Sequence, residues 1–232
     1  MTALAAWQPR PRPGRATLEG RFCRLERLDP ARHGDQLFAA SMAPGADDRF
    51  RFLFEMPQDR AAFEGWLTRA AASDDPRFYA VIDRSSGRCG GRQALMRIVP
   101  EHGVIEVGSI LWGPAIARTR VATEALFLFA RHAFDELGYR RFEWKCNARN
   151  EPSVRAARRF GFTYEGTFRQ HMVVKGQNRD TAWFSITDGE WPALCAAFDR
   201  WLAADNFDPQ GRQRTRLEDL RQRATSDERH GP

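Results

Sequence analysis

The run Arg118-Thr119-Arg120-Val121-Ala122-Thr123 joins a segment that alternates like a strand to one with helical periodicity. A helix start presents unpaired amide groups and a partial positive charge, so such a junction attracts phosphate without any dedicated side chain. Glu106 lies within the preceding strand, on the face of Val104, Gly108 and Ile110, and a carboxylate in apolar company is suited to take up a proton. The alternative for Glu106 is an ion pair with a neighbouring arginine. Further on, Asn150 and Ser153 stand three residues apart at a second helix start. Asn150 is placed to cap it, and Ser153 offers a hydroxyl that either satisfies the backbone or does chemistry. His171 adds an imidazole, a group that titrates near neutral pH.

The hydrophobic period assigns the elements that must hold these residues. Arg21 to Leu28 reads as a first strand, and the Asp29-Pro30 start leads a helix to about Met42. A second helix runs from Asp59 to Ala72. Strands follow at Phe78 to Asp83, Gly91 to Val99 and Val104 to Trp112, separated by turn residues. Ala122 to Leu137 is the clearest helix, its apolar residues recurring at three- and four-residue steps up to Gly138. Arg141 to Asn147 alternates as a strand, and a short helix carries Ala156, Ala157 and Phe160 on one face until Gly161. A hairpin of Phe162 to Val174 and Thr181 to Thr187 precedes a last helix, Glu190 to Ala204. Antiparallel strands ahead of a β-α-β crossover predict an α/β (α+β) domain, its mixed sheet flanked by helices on both faces. Residues 1–16, with three prolines among arginines, read as an extended arm; 17–204 form the domain, and 205–232 a polar tail that could be helical.

Ala122-Thr123-Glu124-Ala125, Leu137-Gly138-Tyr139-Arg140-Arg141, Asn147-Ala148-Arg149-Asn150-Glu151-Pro152-Ser153, Arg159-Phe160-Gly161-Phe162 and Glu165-Gly166 together resemble the GNAT acetyltransferases. Within that superfamily the pattern is similar to the RimJ/RimL-like branch of ribosomal-protein N-acetyltransferases. The resemblance implies a mostly antiparallel sheet of six to seven strands, with acetyl-CoA in the V between the strands Val104 to Trp112 and Arg141 to Asn147. It places the pyrophosphate on the amides of Arg118, Thr119, Arg120, Val121, Ala122 and Thr123, and puts Asn147, Asn150 and Ser153 beside the CoA arm. Backbone amides of Ile110, Leu111 and Trp112 become donors to the oxyanion of a tetrahedral intermediate. Ser153 becomes the acid toward the CoA sulfur, with Glu106 as base and His171 as its runner-up near the acceptor. The family usually has glycine where this chain has Arg120, and often at Arg118 as well. Either the arginines replace amide contacts with cationic ones, or the fold has become a catalytically silent CoA-sensing or protein-binding module.

Composition narrows the partners. With 42% hydrophobic residues, 17 Phe and 7 Trp in 232 residues, the chain can bury a substantial core. The net charge of +6 arises from basic residues spread among acidic ones, so nucleic acid is not expected as a partner. Cys23, Cys89, Cys146 and Cys195 lack paired spacing, so buried thiols are expected and no metal site. No apolar run is long enough to span a bilayer, and residues 1–15 lack a secretory signal's apolar stretch; a cytoplasmic enzyme is expected. Its acceptor would be an amine-bearing small molecule or a protein N-terminus, and the resemblance allows a homodimer. His33 and His230 are read as surface residues, and His132 as lying opposite its helix's apolar stripe.

Overall fold

Eight strands make one sheet in the computed structural model, which describes residues 4, 6–14 and 16–222. They are β1 (Thr17–Glu19), β2 (Cys23–Arg27), β3 (Arg77–Asp83), β4 (Arg88–Val99), β5 (Val104–Trp112), β6 (Arg141–Asn147), β7 (Thr163–Val174) and β8 (Gln177–Thr187), in the order β1-β2-β3-β4-β5-β6-β8-β7. Every neighbouring pair is antiparallel except β5 and β6. Helices α1 (Pro30–Met42), α2 (Ala46–Phe50) and α3 (Arg60–Ala72) link β2 to β3; α4 (Arg120–Arg131) and α5 (Glu151–Phe160) flank β6, and α6 (Trp191–Leu202) follows β8. The mixed α/β architecture is as expected, with one strand more. At three residues and a single buried side chain, Leu18, β1 is too short to show a period, and α2, at five residues, escapes for the same reason.

Local chemistry sets the helix ends. Asp29 accepts from the amides of Ala31 and Arg32 with Pro30 at the first turn, and Asp59 caps α3 through Ala62. Helix α4 widens into a single π turn, His132–Glu136, and Gly138 then turns the chain at φ 69°. Asn150 caps α5 and Gly161 ends it at φ 98°. One sheet face buries Phe129, Phe142, Phe160 and Phe184 beneath α4, α5 and α6; on the other, α1 and α3 pack Leu37, Phe63 and Leu67 on Phe78 and Ala94. Beyond β5, that second face carries charged and aromatic side chains.

The chain after 204 needs a correction. Asn206, Leu217 and Leu220 are buried, Phe207 packs edge-on against Trp201 at 5.1 Å, and a helical turn occupies 217–222. Arg221 Nη1 donates to the carbonyls of Arg158 and Arg159, so this stretch closes the end of α5 instead of leaving the domain. Its apolar anchors are too sparse to stand out from a polar composition. Residues 223–232 lie outside the described residues. The N-terminal arm is extended and docked: Trp7 Nε1 donates to the carbonyl of Glu101 at 2.7 Å, and Arg10 N to that of Pro100 at 3.0 Å.

Two of the histidines differ from expectation. His132 is buried, and His33 is buried with Nε2 3.2 Å from Glu26 Oε2; His230 lies outside the described residues. Burial holds the His33 imidazole below its ordinary pKa, against the opposing pull of Glu26. The unfolded chain therefore takes up this proton first, and stability present above about pH 6.5 is lost progressively as the pH falls below that value and through the lower folded-state pKa. Urea unfolding between about pH 7.5 and 5.5 should show the midpoint declining with acidity, and His33→Gln should flatten the decline. Parallel slopes for the two proteins would assign the effect elsewhere.

Candidate active site

β5 and β6 pair over only four residues, from Val104↔Arg141 to Val107↔Trp144. Beyond that point β5 is bent. β4 pairs Ala94 with Gly108 and Arg92 with Leu111, so Ser109 and Ile110 together oppose Gln93, and Ser109 adopts φ 48°. A bulge of this kind re-aims its strand, and here the upper part of β5 and residues 145–147 of β6 lie on either side of an unpaired wedge. Main-chain groups of β5 that face the wedge have no strand partner, although every such group needs one when water is excluded.

Helix α4 begins at the top of the wedge. Thr119 Oγ1 accepts from Val121 N at 3.2 Å and donates to the carbonyl of Ile116 at 2.6 Å. The amides of Arg120 and Ala122 have no partner among the described residues. Arg118 sits at φ 63°, a conformation that favours glycine, and its side chain is exposed beside those amides. Arg120 is committed elsewhere: its guanidinium lies 4.6 Å from the ring centres of both Phe22 and Phe207. One arginine is therefore open to an anion while the other fastens the helix start to the C-terminal segment. Thr123 Oγ1 donates to the Thr119 carbonyl and accepts from Arg159, and the Thr123 amide donates to the same carbonyl, so that amide is taken up within the helix start and not open to a phosphate. A slender unpaired wedge under orphan amides and a free cation fits a ligand with a narrow arm and a pyrophosphate.

Ser153 stands at the wedge's other side. Asn150 Oδ1 accepts from Ser153 N at 3.2 Å, and Trp144 Nε1 donates to Ser153 Oγ at 3.0 Å, so one lone pair is used and the hydroxyl proton can be given away. Burial pushes the neighbouring Cys146 thiol up, with the Ser153 hydroxyl acting the other way. Asn147 Oδ1 accepts from Arg149 N, which shapes the turn into α5. Leu111 is buried, Ile110 and Val121 are half-buried, and Trp112 Nε1 donates to Gln93 Oε1 at 3.3 Å.

Glu106 is not a carboxylate in apolar company. Arg97 Nη1 contacts both its oxygens at 2.7 and 2.8 Å, and Lys145 Nζ lies 2.9 Å from Oε2, all with Glu106 3% exposed. Lys145 continues to Glu143 at 2.6 Å and lies 3.8 Å over the Trp183 ring; Arg141 then links Glu143 to Glu165. Arg141 holds the Glu165 carboxyl below its ordinary range. His171 lies across the same face, at a bulge where the β7–β8 register breaks and Gln170 takes φ 50°. Its exposed ring is joined at Nδ1 to Thr181 Oγ1, 2.9 Å away, and packs against Phe168 and Trp183. Sequence reading missed Lys145, Arg92 and Arg179. Alternation marks a strand face but does not show which charges on it are enclosed. A recess of about 400 Å³ near Trp7, His102 and Arg140 lies at the opposite end of β5.

The Acetyltransferase (GNAT) domain family matches residues 24–163, more than half the chain. The chain belongs to the GNAT acetyltransferase family. A GCN5-related N-acetyltransferase from Brucella melitensis is 60% identical with a TM-score of 0.93, covering 94% of this chain and 100% of that one. A probable GNAT-family acetyltransferase from Chromobacterium violaceum is 44% identical with a TM-score of 0.76, covering 83% of this chain and 96% of the other. The RimL ribosomal L7/L12 α-N-protein acetyltransferase, at 18% identity and a TM-score of 0.64 over 74% of this chain and 93% of its own, shares the fold. No curated protein matches this GNAT chain. Acetyl-CoA is the family's co-substrate, and acetyl transfer is the activity that membership implies. No described helix is long and apolar enough to cross a membrane.

Proposed function

We propose that this GNAT enzyme acetylates a primary amine, on a small molecule or a protein N-terminus, by direct attack of the amine on the thioester of acetyl-CoA. The observation that carries the proposal is the wedge between β5 and β6, open toward the α4 start on one side and toward the charged β5–β6–β8 face on the other. Acetyl-CoA, when bound, supplies the activated acyl group. The orphan amides at the α4 start and the exposed Arg118 would hold its pyrophosphate, and the unpaired edge of β5 from Gly108 to Trp112 would hold its arm. Amides of that edge, re-aimed by the Ser109 bulge, would meet negative charge developing at the acyl oxygen. Ser153 would give its proton toward the departing sulfur, since its oxygen is already fixed by the Trp144 indole. For removal of the amine's proton, His171 has a ring nitrogen free among the described residues, whereas both oxygens of Glu106 are engaged. Glu106 would then act as a positioning residue that fixes Lys145 against Trp183.

Acetyl-CoA at about 100 times its Kd should stabilise the protein by about 2.7 kcal/mol, a rise of about 5 to 10 °C in Tm for a domain of this size. Free nucleotide alone should give less. Thiol release across a panel of primary amines completes the test. A clear Tm shift with no turnover on any amine would leave the silent CoA-binding module as the better reading, and no shift would remove both.

A further inference from the structure

Arg179, near the start of β8, is 7% exposed, yet among the described residues its guanidinium makes no hydrogen bond and no ion pair. Its Nε is enclosed and unpartnered. Most other enclosed cations among the described residues are engaged: Arg92 by Glu55 and the Ser109 carbonyl, Lys145 by Glu106 and Glu143, Arg141 by Glu143 and Glu165, and Arg27 by three carbonyls, while the half-buried Arg10 only stacks on Trp7. A guanidinium with its Nε shut off from water and no protein acceptor at any nitrogen is disfavoured, so its more accessible Nη groups call for an acceptor from outside the protein. One face of Arg179 is taken by Phe54, 5.0 Å away on the segment between α2 and α3, which leaves the planar edge with its N–H fork for a ligand.

The surroundings place that fork beside the reaction. Thr181, two residues along β8, pairs with Asn147 at the end of β6, where the wedge is open. Cys146, Glu106 and Arg97 lie within electrostatic reach of Arg179. Trp183, four residues on and on the same strand face, has a second enclosed donor, Nε1, with no partner among the described residues. The nearby anions decide between oxyanions. Glu106 and Glu55, although each is paired with a cation, would oppose a dianionic phosphate more than a single carboxylate.

We infer that the acceptor amine carries a carboxylate, received by the Arg179 guanidinium so that the amino group of the same molecule faces the wedge. This rests on the acetyl-transfer reading and narrows its substrate class to amino-carboxylates. The carboxylate could belong to a free amino acid or to an acidic side chain following a peptide's N-terminus, and the two present the same group to the fork.

Binding is tested apart from turnover. In the full chain with CoA present, the Arg179 Nε–H resonance, assigned by its loss in Arg179→Lys, is followed in ¹⁵N spectra during titration with three probes. N-acetylalanine offers an α-carboxylate, N-acetylalaninamide none, and N-acetyl-aspartyl-alaninamide a side-chain carboxylate only. A shift with either acid and none with the uncharged amide supports the inference, and the acid that acts identifies the source. No shift with either acid, or equal shifts with acid and amide, overturns it. In parallel, kcat/KM for alanine over alaninamide, and for an aspartyl over an asparaginyl peptide, should favour the acid at least tenfold in one pair, and Arg179→Gln should abolish that preference. If acids bind at Arg179 but no amine is acetylated, the transferase reading fails while the carboxylate site stands; if both members of each pair react equally, the reverse holds.

Discussion

Arg92→Ala should lower stability by about 3 to 5 kcal/mol, a fall in Tm of about 10 °C or more, and should also cost activity that restored stability does not return. Arg92 is 2% exposed on β4, with its guanidinium 4.5 Å from the centre of the Trp66 ring. Its Nη2 donates to Glu55, and its Nη1 donates to the carbonyl of Ser109 at 2.6 Å. Removing the cation leaves Glu55, itself 14% exposed, without its partner, and opens a void against Trp66 and Phe78. Burial lowers the Arg92 pKa and Glu55 opposes that, so the pair is mutually dependent.

The second variant separates the roles. Replacing a buried ion pair with uncharged groups of similar volume is often close to neutral, whereas breaking it is not. Arg92→Met with Glu55→Gln should therefore recover much of the Tm lost by Arg92→Ala. The Ser109 carbonyl still lacks its donor, and Ser109 holds the positive φ at the bulge that turns β5 toward the wedge. A double variant with near-normal Tm and kcat reduced on the order of tenfold would mark Arg92 as a positioning residue. Full recovery of both would make the pair structural alone.

How far these arrangements could be read from the sequence depends on the range of the forces involved. β5 and β6 appear with the boundaries that alternation predicts, because a strand's pattern is local. Asp29, Asp59, Asn150, Gly138 and Gly161 were legible for the same reason: each satisfies or turns the backbone within a few residues. The charge ladder was not. Arg97 and Lys145 reach Glu106 from two different strands, and only the sheet order brings them together. Arg120 was hidden in another way, since its aromatic clamp needs Phe207 from a segment whose composition reads as solvated. The motif order from Ala122 to Gly166 pointed to the family, while the departures at Arg118 and Arg120 acquired meaning only in three dimensions. One keeps the backbone form for which glycine is suited, and the other packs.

Ser153→Ala should reduce kcat on the order of 10²-fold, the low end for losing a positioned proton donor, with little change in the KM for acetyl-CoA. A hydroxyl that acts only on the departing sulfur contributes in the transition state and not to ground-state binding, so kcat and kcat/KM should fall together. The competing role is structural, and the geometry says what it would be worth. The Ser153 Oγ accepts from Trp144 Nε1, so alanine strands the indole donor of a buried tryptophan, at a cost of about 1 to 2 kcal/mol. A helix-start role would thus appear as lost Tm with kcat preserved. Asn150→Ala supplies the matching control: it removes the cap that receives Ser153 N, costs about 1 kcal/mol, and leaves the hydroxyl in place. Ser153→Thr keeps the hydroxyl and should restore most of kcat. If Ser153→Ala and Asn150→Ala lose the same small amount of activity and stability, Ser153 is part of the cap, and the proton reaching the sulfur comes from solvent.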